Sequence, residues 1–148
     1  MVRRKSTSRL SGIVLVQTDT TVGFISQNHE KLAQIKSRPI NKPFIRVINS
    51  SQNLRIPNKY KNLVRRSKQI TFIVNNQAFR ISNKIKASQI IRNLSWHYST
   101  SANQTNKNFN REFCEQNADI IIETVDGLQE LNSSSLIKLN NHTKRRLR

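Results

Sequence analysis

At 148 residues, with 26 Lys and Arg against 8 Asp and Glu, the chain carries a formal charge of +18 and has length for one hydrophobic core but not two. One cysteine excludes an internal disulfide framework and a multi-cysteine metal site, three scattered histidines (His29, His97, His142) show no metal-ligand spacing, and no apolar run approaches the roughly 18 residues a membrane span needs. The surplus of cations points to polyanionic partners, nucleic acid or nucleotide phosphates, and says nothing about fold.

The chain opens on a basic arm, residues 1–11, with Arg3, Arg4, Lys5 and Arg9. Its apolar part is too short for a signal peptide and lacks a small-residue cleavage site, so the expected location is cytoplasmic. Gly12 to Gln17 is a β-branched apolar run, expected as a buried strand. The hydroxyl-rich Thr18 to Phe24 that follows reads as a loop or strand end. Asn28 is placed to cap a helix reaching about Lys36, with Leu32 and Ile35 inward. Arg38-Pro39 ends it, because a residue before proline avoids helical backbone.

Pro43 to Ile48 alternates as a strand, and Asn58 to Ser67 has weaker helical character. Gln69 to Val74 and Gln77 to Ser82 flank Asn75-Asn76, a pair that tolerates the positive φ of a tight hairpin turn. Ala87 to Leu94 has helical spacing in Ile90, Ile91 and Leu94. Trp96 to Asn103 reads as a strand entering a polar turn, Phe109 to Gln116 as a short helix, Asp119 to Glu123 as a core strand, and Ser134 to Leu139 as the last strand. A basic tail, 141–148, closes the chain. The expected fold class is α/β, a twisted mixed sheet with flanking helices, in one domain over residues 12–140.

Charge is segregated along this order. From Lys31 to Arg111 there are seventeen Lys and Arg and no Asp or Glu; from Glu112 to Glu130 there are six acids and no base. A composition bias accounts for many lysines, but less well for a long span without a carboxylate. One broad positive surface, with an acidic element beside or behind it, accounts for both.

Four polar clusters are each expected to follow an apolar strand: Thr18 to Thr21, Lys36 and Arg38 with Lys42, Thr100 to Asn103, and Ser133 to Ser135. Ligands of open α/β sheets sit at strand ends. Arginine offers a planar fork for phosphate and lysine a compact charge, while short hydroxyls and amides orient a ligand. No Gly-rich phosphate loop, catalytic triad or Cys-His pair accompanies them.

The order of these clusters resembles that of the YrdC-like family, which includes the TsaC-type L-threonylcarbamoyl-AMP synthases. Gln17 to Phe24 stands where that family has a Pro-Thr-Asp-Thr-Val-Tyr-Gly-Leu loop. The Lys-x-Arg-Pro and Lys-Pro that follow a helix are matched in full by Lys36 to Pro43. A Thr-hydrophobic strand and an Arg-bearing strand correspond to Thr71 to Val74 and to Phe79 to Ser82 with Arg80. The Thr-Ser-Ala-Asn signature is intact as Thr100 to Asn103, and the closing motif stands as Ser134 to Leu139. The resemblance spans roughly residues 12 to 140. It departs from the family pattern at Gln17 (Pro), Val22 (Tyr) and Lys138 (Asp), lacks the Pro-Gly-Pro before the Thr-hydrophobic strand, and has no histidine shortly after Lys42-Pro43.

The resemblance implies an open α/β fold with a positive concave cavity. Lys36, Arg38, Ser101, Asn103, Arg80 and Ser134 would bind ATP and its phosphates, and Thr18 and Thr20 would face L-threonine; no nucleophile or base is implied. The implied reaction condenses threonine, bicarbonate and ATP to threonylcarbamoyl-AMP and pyrophosphate, with Mg2+ accompanying the triphosphate. Its product would feed tRNA modification, and tRNA or double-stranded RNA and other threonylcarbamoylation proteins would be partners. A second expectation stands beside it: a non-catalytic relative that binds double-stranded RNA, tRNA or nucleotides through the same cavity.

Overall fold

Nine strands form one mixed sheet in the computed structural model, which describes residues 10–51, 54–82, 91 and 94–148. The strands are β1 (Val14–Gln17), β2 (Val22–Ser26), β3 (Ile45–Ile48), β4 (Ile70–Val74), β5 (Gln77–Ile81), β6 (Trp96–Ser101), β7 (Ile120–Ile122), β8 (Ser135–Leu139) and β9 (Lys144–Arg146). Their spatial order is β7-β1-β2-β6-β3-β5-β4-β8-β9. Pairings β1–β7, β3–β5 and β4–β8 are parallel and the others antiparallel. The described helices are α1 (His29–Ile35), a 3₁₀ turn (Asn58–Tyr60) running into α2 (Lys61–Arg66), and α3 (Arg111–Asn117). The expected mixed α/β class is what the chain adopts.

Local signals account for the element ends. Asn28 Oδ1 accepts the Lys31 amide at 3.2 Å and Asn110 Oδ1 the Phe113 amide at 3.1 Å, so each asparagine satisfies one donor the helix leaves open. Asn75 and Asn76 both take positive φ, 51° and 62°, which matches the turn twist to the twist of the β4–β5 hairpin.

Covered and open faces follow from the register. Leu15, Val22 and Phe24 face α1 and α3 in one core with Leu32, Phe44 and Cys114. On the same sheet face, Phe72, Phe79 and Leu139 pack with Val64 of α2 and Ile56. On the opposite face, beside β1 and β2, Val14, Val16 and Ile25 meet Ile91. Farther along, that face presents Ser99, His97 and Arg80, aligned across β6, β3 and β5 through the pairs Val47–His97 and Val47–Arg80. All three are buried, and buried polar groups need partners.

Three expectations change. Residues 22–24, read within Thr18 to Phe24 as a loop or strand end, belong to the fully buried β2, because Val22 and Phe24 face the α1–α3 core while Gly23 and Ile25 turn to the other face. The Ile120–Ile122 run, read as a core strand, is the sheet's outer edge, paired to β1 only, with Ile120 and Ile121 exposed. The basic tail, placed after the last expected strand, adds β9 along β8 through Ile137–Arg146 and Leu139–Lys144. The helix expected over 87–94 falls largely outside the described residues, as does most of the N-terminal arm. The acids of 112–130 gather beside the β7 edge: Arg111 pairs with Glu115 (2.7 Å) and Glu123, and Lys31 with Asp119 (3.7 Å). None of these pairs reaches the polar face.

Candidate functional site

Strand ends converge on one cavity of about 250 Å³. Thr18 and Thr20 enter from the loop after β1, Arg38 from the turn after α1, Arg80 from β5, Ser101 from the end of β6, and Ser134 from the start of β8. Six of the eight residues singled out in the sequence therefore share one wall, although they are spread over more than a hundred positions. The cavity's described lining has three cations, Arg38, Arg80 and Arg148, and no carboxylate. Nothing in the sequence pointed to Arg148; its Nε donates to the Ser134 carbonyl at 3.0 Å, bringing the end of the described chain to the rim.

The loop geometry fixes the hydroxyls. Thr18 Oγ1 donates to the Thr21 carbonyl at 2.6 Å and accepts the Thr20 amide at 3.2 Å, a side-chain-supported turn that holds both threonines toward the cavity. Ser134 Oγ and Thr71 Oγ1 lie 2.7 Å apart, fully buried. Gly23 sits directly below: a Cβ there would come within 3.0 Å of both the Thr100 carbonyl and Thr18 Cγ2.

Among the described residues Arg80 is the most enclosed cation, 3% exposed. Asp19 approaches its guanidinium at 3.2 Å, close enough for charge pairing but not aligned for a hydrogen bond, so Asp19 Oδ1 and Arg80 Nε both remain without a hydrogen-bond partner. His97 Nε2 and Ser82 Oγ, also buried, have none either. Burial, and secondarily the Arg80 charge, push the His97 imidazole down to about 4, so it is neutral. Buried polar atoms left open cost stability, and Arg80, which lines the cavity, keeps Nε as one donor without a partner.

Lys36 and Asn103, the remaining two, sit beside the cavity and hold its wall. Lys36 Nζ donates to the Ser101 and Asn103 carbonyls (3.0 and 2.7 Å) and to Asn103 Oδ1 (2.7 Å), and Ser101 Oγ donates to the same Oδ1 at 2.6 Å. Thr105 Oγ1 returns a hydrogen bond to the Lys36 carbonyl at 2.6 Å. Ser37 has φ 49°, so the chain reverses sharply and Arg38 Nη2 reaches the Pro43 carbonyl at 2.9 Å with its guanidinium 4.3 Å from the Phe44 ring centre. The Lys-x-Arg spacing thus sends one cation inward and the other to the cavity. Burial, then the Arg38 charge, lower the Lys36 ammonium to about 8. A second cavity of about 260 Å³, lined by Ser101, Asn103 and Phe109, continues from the first through Thr21 and Ser133.

Among the described residues no three His, Cys, Asp or Glu side chains converge on a metal position, and no helix is long and apolar enough to cross a membrane.

No family model matches the chain. It is similar to two curated proteins, the uncharacterized protein MG259 homolog of Mycoplasma pneumoniae (30% identical over 92 residues, 61% of this chain) and the uncharacterized protein MG259 of Mycoplasma genitalium (27% identical over 138 residues, 86% of this chain). The matched part spans 20% and 30% of those proteins. Among solved structures, P. abyssi Sua5 complexed with L-threonine superimposes with a TM-score of 0.69 at 19% identity, over 93% of this chain and 50% of that one. YciO of E. coli superimposes with a TM-score of 0.70 at 15% identity, over 93% and 82%. The fold is therefore the YrdC-like α/β fold.

Proposed function

We propose that the cavity binds an amino-acid-sized anion beside a nucleotide, and that the chain is an L-threonylcarbamoyladenylate synthase-like protein. The observation that carries this reading is the convergence of Thr18, Thr20, Arg38, Arg80, Ser101 and Ser134 on one acid-free cavity. Its volume suits threonine rather than a whole nucleotide, and the adjoining space at Ser101 and Asn103 is where the nucleotide would extend. The likeness to a Sua5 that was complexed with L-threonine supports the amino-acid assignment.

Chemically, the reaction brings together a threonine carboxylate, bicarbonate and a triphosphate. Arg38 and Arg80 would offset that charge, and the threonine hydroxyls and Ser101 would orient the reactants. Such catalysis works by positioning and electrostatics rather than by a covalent nucleophile. Any magnesium would be held through the oxygens of the triphosphate. The proposed setting is the cytoplasm, with tRNA as the downstream partner.

One observation favours the second reading, a non-catalytic nucleotide- or RNA-binding relative: Lys36 is engaged in three internal hydrogen bonds rather than open to phosphate. Pyrophosphate release with ATP and magnesium separates the two. Release that requires threonine and bicarbonate together supports the synthase. ATP binding without release under any combination overturns it and leaves the binding protein.

A further inference from the structure

The covered face of the sheet is not covered everywhere. Between α1 and α2 lies a groove of about 550 Å³, with Trp96 and Tyr98 of β6 and Phe79 of β5 in its wall. By register these side chains share a face with Arg46, opposite the face that carries Ser99, His97 and Arg80. The aromatic floor of the groove thus lies across the sheet from Arg80, and the groove and the proposed anion cavity share only Pro43 and Phe44 in their linings.

Its chemistry is aromatic and cationic. Arg46 is exposed and its guanidinium lies 4.6 Å from the Trp96 ring centre; Tyr98 meets Trp96 edge-on at 5.2 Å, and His29 meets Tyr98 edge-on at 5.6 Å. A second cavity of about 480 Å³ adjoins it through Asn49 and Leu54 and adds Lys61 and Arg65 of α2, both exposed. No Asp or Glu lines either space. The rim is rich in side-chain amides, with Asn41, Asn49, Asn76 and Gln77.

We propose that this groove binds single-stranded RNA. A base stacks well on an aromatic ring or an arginine plane and tolerates any sequence there, while a cationic wall follows the phosphates. The Arg46–Trp96 pair is such a platform, and Lys61 and Arg65 lie where the adjoining phosphates would run. A peptide partner with an apolar anchor would not require a wall of cations without a single carboxylate. Amides both donate and accept, which matches the 2′-hydroxyl that distinguishes RNA from DNA. Duplex RNA, whose bases are already stacked, has no use for the aromatic floor.

Trp96 is the chain's one tryptophan, so its fluorescence reports the groove directly. The experiment is a titration of the full chain with hexauridylate at low salt, repeated with hexadeoxythymidylate, with an RNA duplex and with saturating ATP present. Expected are saturable quenching, at least tenfold weaker binding of the DNA and duplex probes, and no displacement by ATP. Arg46→Ala should weaken binding on the order of tenfold, the scale of one base losing its stacking partner. Lys61→Ala with Arg65→Ala should lower the log-log salt slope by roughly 0.7 for each phosphate no longer neutralised. Both sets of side chains are exposed, so the variants fold. Absence of quenching, affinity indifferent to Arg46→Ala, equal binding of DNA or duplex, or displacement by ATP would each overturn the assignment. None of these outcomes depends on whether the cavity turns over threonine.

Discussion

Asp19 and Arg80 meet at 3.2 Å with both side chains nearly out of solvent, one from the loop after β1 and the other from the middle of β5. The pair lies behind the cavity wall and satisfies neither partner fully, since Asp19 Oδ1 and Arg80 Nε have no hydrogen bond. Removing one member of a buried pair strands the other charge, typically at a cost of about 3 kcal/mol or more. Asp19→Asn is therefore expected to lower stability by that order in urea unfolding. Added phosphate or ATP should restore more stability to the variant than to the wild type, because an anion takes the vacant place beside Arg80. A loss below about 1 kcal/mol, or equal rescue of both proteins, speaks against the pairing.

Lys36 links the two ends of the site to pH. Its proton leaves at about 8 in the folded chain, against an ordinary 10.5. Between those values the unfolded chain holds the proton and the native chain does not, so stability should rise with pH across the window. Anion affinity should move the opposite way, falling as pH passes 8 and the cavity loses one neighbouring positive charge. Lys36→Met should flatten the affinity profile on either side of that value. An unchanged profile in the variant would sink the assignment.

His97 contributes at the acid end. It is buried neutral, with its proton lost at about 4 rather than 6.5. Below the ordinary value the unfolded chain takes up a proton that the native chain refuses, so stability should fall as pH drops from there toward the folded value, by about 3 kcal/mol in all. His97→Gln should remove most of this slope; stability curves measured at intervals of about one pH unit across the window for both proteins decide it.

Gly23 tests the packing beneath Thr18. A Cβ would press on the Thr100 carbonyl, which is backbone and cannot swing away, and on the Thr18 methyl. Gly23→Ala should cost about 1–3 kcal/mol as overpacking and weaken ligand binding by displacing Thr18. Full stability with full affinity would show that β2 has slack there.

How much of this was legible follows from what each residue depends on. Asn28, the Asn75-Asn76 turn and the β6 run into Ser101 depend on neighbours in the chain, and they stand where expected. The four polar clusters were also readable, because clusters at strand ends converge whenever the strands join one sheet. Partners set by tertiary approach were not. Lys36 looks like a phosphate ligand by spacing, yet its ammonium meets two carbonyls more than sixty positions away. Asp19 gave no sign of its pairing with Arg80. Thr18 to Phe24 left loop and strand end open, because its hydroxyl-rich start hid how deeply β2 is buried, and the isoleucines of β7 read as core because hydropathy cannot tell an edge from a centre.

The two borders of the sheet are unlike each other in a way that bears on self-association. At one, β9 presents Lys144, Arg145 and Arg146, a row of like charges that repels a second copy and blunts strand addition. At the other, β7 is three isoleucines, with no strand beyond it among the described residues. The two borders therefore differ in what they offer a neighbouring strand: like charges at β9, and aliphatic side chains at β7.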